Sequence, residues 1–74
     1  MINHQKATTA DELRAAVKRH PRGTWITYFE GQTWDVGDTE IGKAALRLSD
    51  DGRLVLCQKR IGADGVFVYY GVVA

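Results

Sequence analysis

The C-terminal third of the chain contains the pattern that most constrains the fold. Two runs rich in β-branched and aromatic side chains lie on either side of Gly62-Ala63-Asp64-Gly65. Two glycines with an aspartate, a residue that tolerates left-handed backbone, are typical of a tight turn between antiparallel strands. The sequence therefore predicts that this part of the chain forms a β-hairpin.

Helical periodicity predicts a first helix in the N-terminal part of the chain. Thr8 or Thr9 is the expected N-cap, because a threonine hydroxyl accepts a hydrogen bond from an otherwise unpaired backbone N–H. Pro21 and Gly23 are expected to end the helix. Its apolar stripe consists of Leu13, Ala16 and Val17.

A second helix is predicted to begin near Asp38 or Thr39 and to end in the turn sequence at 49–52. Gly42 lies inside this helix and is expected to weaken it by about 1 kcal/mol relative to alanine. The apolar face consists of Ile41, Ala44, Ala45 and Leu48, and the opposite face of Glu40, Lys43 and Arg47.

The remaining segments complete the predicted fold. Residues 24–29 are dense in strand formers, residues 30–37 could be strand, loop or a helical turn, and residues 1–7 are expected to be a flexible arm. We predict one α+β domain over 1–74, with the order α–β–α–β–β and a three-stranded antiparallel sheet in which the hairpin pairs with the 24–29 strand. We interpret the aromatic residues as core rather than as a platform for stacked bases. The expected core comprises Leu13, Val17, Trp25, Ile41, Leu48, Leu56 and Tyr69.

Length and composition favour the binding of large molecules over catalysis. A chain of 74 residues buries only about 60% of its unfolded surface, which leaves little room for an active-site cavity. The sequence shows no Ser/His/Asp set and no glycine-rich phosphate loop, and Cys57 with His4 and His20 cannot build a zinc site. We therefore expect a non-enzymatic protein without a cofactor or metal.

Two further absences bear on location. No apolar run approaches the roughly 20 residues needed to span a bilayer. The N-terminal residues lack the apolar core of a signal peptide. We expect a cytoplasmic protein that does not bind membranes.

The charges are unevenly distributed along the chain, whose net charge is +1. Residues 1–23 contain five cations and two acids, and residues 53–74 contain three cations and one acid. Residues 24–52 contain two cations and six acids. Two basic ends therefore enclose an acidic middle, a weaker basic surplus than most nucleic-acid-binding domains have.

Three framework segments carry a family resemblance: Arg22-Gly-Thr-Trp-Ile-Thr-Tyr28, the run from Ala44-Ala45 through Gly52 to Gln58-Lys59-Arg60, and Val68-Tyr-Tyr-Gly-Val72. In these segments the chain resembles small phage- or prophage-encoded proteins of winged-helix type. The resemblance implies a winged-helix-like fold in which the second helix enters a DNA groove and the hairpin rests on the phosphate backbone. Small phage proteins of this size include transcriptional regulators and inhibitors of host proteins.

The leading functional prediction is therefore a regulatory protein that binds double-stranded DNA, with a homodimer reading two half-sites. Lys43 and Arg47 are predicted to approach the groove. The predicted phosphate contacts are Arg53, Lys59 and Arg60, aided by Arg19 and Arg22. The same charges could instead form a solvated helix face and a protected edge strand. The alternative function is a protein-binding module or inhibitor, such as a phage anti-defence protein, whose acidic middle opposes a host nucleic-acid-binding protein.

Overall fold

The computed structural model describes residues 4–31, 36, 38–61 and 65–74. Their elements are β1 (His4–Lys6), α1 (Ala10–Arg19), β2 (Trp25–Gly31), α2 (Glu40–Asp50), β3 (Leu54–Ile61) and β4 (Val66–Val73). Both helices and the C-terminal hairpin lie where periodicity predicts them. Most of the segment left open at 30–37, and the turn residues 62–64, lie outside the described residues.

The strands form a four-stranded mixed sheet in the order β1-β2-β4-β3. β4 pairs antiparallel with both β2 and β3, whereas β1 pairs parallel with β2. The prediction of a winged-helix-like fold with a three-stranded antiparallel sheet and the order α–β–α–β–β is therefore wrong. The observed order is β–α–β–α–β–β.

The additional strand comes from the segment that we expected to be a flexible arm. His4 lies opposite Trp25 and Lys6 opposite Thr27, and the ladder continues with a 2.9 Å hydrogen bond from Ala7 N to Thr27 O. A parallel pair requires a crossover connection, and α1 provides it. Three polar residues show neither alternation nor strand formers, so local pattern does not reveal this strand.

Each helix begins at a threonine cap. Thr9 Oγ1 accepts a hydrogen bond from Glu12 N at 3.1 Å, and Thr39 Oγ1 accepts one from Gly42 N at 3.0 Å. Thr9 is one of the two N-cap residues that the sequence predicts, and Thr39 is one of the two residues near which the second helix is predicted to begin. These bonds satisfy donors that have no partner inside the helix and so define where each helix starts.

The hydrophobic core lies between the helices and one face of the sheet. The helices contribute Leu13, Val17, Ile41, Ala44, Ala45 and Leu48, and the strands contribute Ile26, Tyr28, Leu54, Tyr69 and Val73. Gly71 lies among them because a Cβ there would come within 2.6 Å of both Leu54 methyl carbons. Leu56 packs against the core but is only partly buried.

Neither of the two described helices covers the opposite face of the sheet, and Trp25 belongs to this open face. Its ring stacks on Tyr70 with a centroid separation of 4.7 Å and an interplanar angle of 16°. The expectation that Trp25 lies in the shared core is wrong. Alternation along β2 directs Ile26 to the helices, and Trp25 therefore faces away from them.

Candidate nucleic-acid interface

A groove of about 650 Å³ lies between α1 and α2, and we call it the interhelical groove. Its apolar floor is formed by Val17, Ala44 and Leu48. Its charged lining residues are Arg14, Lys18, Glu40, Lys43, Arg47, Asp51 and Arg53. Five cations against two acids make the groove basic, although the whole chain carries a net charge of only +1.

The first helix contributes Arg14 and Lys18, which are four residues apart and therefore share one face of α1. Burial of Leu13 and Val17 fixes the rotation of α1, so the neighbouring positions 14 and 18 border the groove. The sequence prediction omitted both residues. Their spacing is visible in the sequence, but the packing of α1 beside α2 is not.

The second helix contributes Lys43 and Arg47 with the same spacing of four residues. Arg47 lies in the last turn of α2, where a cation interacts favourably with the negative end of the helix dipole. Ala44 and Leu48, which follow these two residues directly, are buried. The packing of α2 therefore directs both cations along the rim of the groove.

The C-terminal end of α2 positions Arg53. Arg53 N donates to Leu48 O and Gly52 N donates to Ser49 O, both at 3.0 Å. This pair of bonds is a Schellman motif, which requires a left-handed residue after the helix, and Gly52 supplies it with φ 74°. The turn brings Arg53 back to the groove, which it lines together with Arg47.

Two of the five cations have acidic partners. Arg14 Nη2 lies 3.2 Å from Asp11 Oδ1, and Lys43 Nζ lies 3.9 Å from Glu40 Oε1. Both pairs are exposed, and such pairs contribute only about 0–1 kcal/mol, so an anionic ligand can compete for them. Within the described part of the chain the other three, Lys18, Arg47 and Arg53, form no ion pair.

The structure brings together only some of the residues predicted to contact DNA. Lys43, Arg47 and Arg53 line the interhelical groove, whereas Arg19, Arg22, Lys59 and Arg60 do not. Arg19 ends α1, and Arg22 lies in the turn that follows. Lys59 and Arg60 lie near the distal end of β3 and on opposite faces of the sheet.

A smaller apolar hollow of about 320 Å³ lies between α2 and the sheet. Tyr28 lines it, and burial, followed by the neighbouring Tyr69 and Cys57, raises the pKa of Tyr28 from 10.0 to about 12. The phenol therefore stays neutral well above physiological pH. Cys57, whose thiol neighbours the Tyr28 phenol, is partly buried. Among the described residues, no basic side chain lines the hollow beside the phenol or the thiol.

The described residues contain no group of three or more His, Cys, Asp and Glu side chains placed to hold a metal ion. Among the same residues, neither helix has the length and apolar character needed to cross a bilayer.

Comparison with known proteins gives no match to a family model, to a curated protein or to a solved structure. The resemblance to small phage proteins therefore stays a prediction. The interhelical groove must be judged on its own geometry and charge.

Proposed function

We propose that this chain is a non-enzymatic DNA-binding protein that holds the phosphate backbone of duplex DNA in the interhelical groove. The observation that carries the proposal is the convergence of five cations from α1, α2 and the turn after α2 on one concave surface. Lysine and arginine contacts to phosphate supply most of the sequence-independent affinity of DNA-binding proteins.

The three cations without ion pairs set the scale of the expected salt dependence. If Lys18, Arg47 and Arg53 each neutralise one phosphate, the affinity should fall about 40-fold between about 50 mM and about 200 mM salt. The acids Glu40 and Asp51, which also line the groove, repel phosphate and keep the affinity moderate.

The test is a titration of a short labelled duplex, followed by fluorescence anisotropy at those two salt concentrations. Arg47→Glu/Arg53→Glu should weaken binding by about tenfold or more, because it replaces two groove cations by anions. Lys59→Glu/Arg60→Glu is the matched control, since it makes the same change in net charge outside the groove. Circular dichroism verifies that both variants fold.

Two results would contradict the proposal. One is the absence of duplex binding even at the lower salt concentration. The other is an equal loss of affinity in the control variant, which would show that the hairpin or the overall charge, rather than the groove, holds the DNA.

A protein partner is the second candidate, and the open face of the sheet favours it. On this face Val55 is 55% exposed, and the stacked rings of Tyr70 and Trp25 lie on β4 and β2 at the same end of the sheet, whereas Ile61, which is 38% exposed, lies six residues further along β3. Exposed apolar surface of this kind marks protein interaction sites. If the duplex does not bind, the partner can be sought by passing a nuclease-treated lysate over the immobilised chain. The wild-type chain should then retain one lysate protein that the Val55→Glu variant does not retain.

A further inference from the structure

The outer edge of the sheet is formed by β3, an eight-residue strand that pairs only with β4 among the described strands. Ala74 N donates to Arg53 O at 3.0 Å, and Val73 N donates to Thr24 O on the other side of β4. In an antiparallel ladder this pattern turns the backbone groups of every second β3 residue away from β4. The residues with outward backbone groups are Leu54, Leu56, Gln58 and Arg60.

The large apolar side chains that are most exposed in the described chain flank this edge. Val55 and Ile61 belong to β3 itself, on the open face of the sheet. Leu46, which is 58% exposed, lies on the helix side and lines the apolar hollow together with Leu56 and Gln58 of β3. Apolar surface on both sides of an unpaired strand is a template for association.

We propose that the partner of this edge is a second copy of the chain, which adds its own β3 antiparallel to the first with a two-fold axis at Cys57. The two sheets then form one continuous eight-stranded sheet. Since the axis is perpendicular to the sheet, both helix layers lie on the same side. The α2 helix of the second copy therefore faces the apolar hollow of the first.

Hydrogen bonding selects this register. With the axis at Cys57, Leu54 pairs with Arg60 of the second copy and Leu56 with its Gln58, and the reverse pairs follow by symmetry. All four outward-facing residues are then used, in about eight backbone hydrogen bonds. Moving the axis by one residue in either direction leaves outward groups of β3 without a β3 partner.

Charge disfavours two of the alternative registers. An axis at Lys59 places that lysine opposite itself, and an axis at Leu56 places Lys59 opposite Arg53 of the second copy, both of which are repulsive. With the axis at Cys57, Lys59 lies opposite Val55 and Arg60 opposite Leu54. Lys59 thus opposes these alternative pairings, while in the Cys57 register the aliphatic stems of Lys59 and Arg60 cover apolar neighbours.

The contact area is sufficient for a weak dimer. The molecule is 18 Å across its thinnest dimension. Eight residues of strand extend about 27 Å, so the edge offers a footprint of about 500 Å² per copy. The total of about 1,000 Å² is at the lower limit for a specific interface. We therefore expect a dimer that dissociates on dilution.

The native cysteine provides the first test. At the axis the two Cys57 residues form a non-hydrogen-bonded cross-strand pair, whose Cα separation of about 4.5 Å allows a disulfide. Oxidation of the wild-type chain with diamide should give a covalent dimer, while diamide is reduced to the hydrazine. Val55→Cys/Cys57→Ser is the matched control: its thiols would be about 14 Å apart in this register, although residue 55 is more exposed than residue 57.

The second test uses sedimentation equilibrium of the reduced protein. Gln58→Pro removes a backbone N–H that only the second copy uses, and Leu46→Glu places charge against the opposing α2 helix. Each should weaken dimerisation by about tenfold or more, whereas Val68→Lys on the open face should not. Each of three results would overturn the proposal: a wild-type monomer at high micromolar concentration, faster cross-linking of the control, or a dimer that only Val68→Lys dissociates.

Discussion

At the residue scale, helix propensity and tertiary packing favour different residues at position 42, which is occupied by Gly42. In an isolated helix, alanine at this position would be about 1 kcal/mol more favourable than glycine. In the folded chain a Cβ at position 42 would overlap the carbonyl oxygen of Val36. That oxygen accepts hydrogen bonds from the N–H and the hydroxyl of Thr39, the cap of α2, so it cannot move without disturbing the start of the helix.

Gly42→Ala should therefore destabilise the protein by about 1–3 kcal/mol, the usual cost of overpacking, rather than stabilise it. Urea denaturation monitored by tryptophan fluorescence measures the change. Lys43→Ala, at the adjacent exposed position, is the control and should change the free energy of unfolding by less than about 0.5 kcal/mol. A higher urea midpoint for Gly42→Ala would show that propensity dominates and that this close approach does not exist in solution.

At the element scale, the strands differ in how much of their structure is encoded locally. β3 and β4 are long and rich in strand formers, and they form the hairpin that the sequence predicts. β1 has only three polar residues and forms because α1 returns the chain alongside it. The buried methyl group of Ala7, which is 1% exposed, then attaches this strand to the core.

Ala7→Asp tests whether β1 is integral to the fold. A carboxylate at this buried position has no cationic partner, and we expect a loss of about 3 kcal/mol or more in the free energy of unfolding. Thr8→Asn is the control, because residue 8 is exposed and an asparagine amide can donate to the Glu12 carboxylate as the Thr8 hydroxyl does. Equal urea midpoints for the two variants would show that this segment is a flexible arm and not an integral part of the fold.

At the scale of the whole molecule, the tertiary fold rearranges the charge of the chain. The interhelical groove combines cations from all three charge segments of the sequence. Lys43 and Arg47 come from the most acidic of these segments. Counting charge along the chain therefore underestimates the basic character of the groove, which depends on which helix faces meet.

The pH dependence of global stability follows from Tyr28. Its pKa is 10.0 when unfolded and about 12 in the folded chain, so folding disfavours the phenolate. The contribution to stability is complete below about pH 10 and is lost as the pH rises from about 10 towards about 12. Urea midpoints of wild type should fall more steeply across this window than those of Tyr28→Phe, which has no ionisable hydroxyl. Parallel pH profiles for the two proteins would contradict the burial of this phenol.

Local sequence chemistry determined the helices, their threonine caps and the hairpin, because each depends on residues within a few positions of one another. The apolar face of α2 was predicted for the same reason, since helical periodicity places Ile41, Ala44, Ala45 and Leu48 on one side. Only the tertiary structure decided that a polar tripeptide becomes a parallel strand, that Trp25 lies on the open face, and that Arg14 and Lys18 join the cations of α2. Each of these features depends on contacts between residues distant in sequence. Forming such a contact closes a long loop at a cost in chain entropy, and the packing of the whole core decides which contacts form.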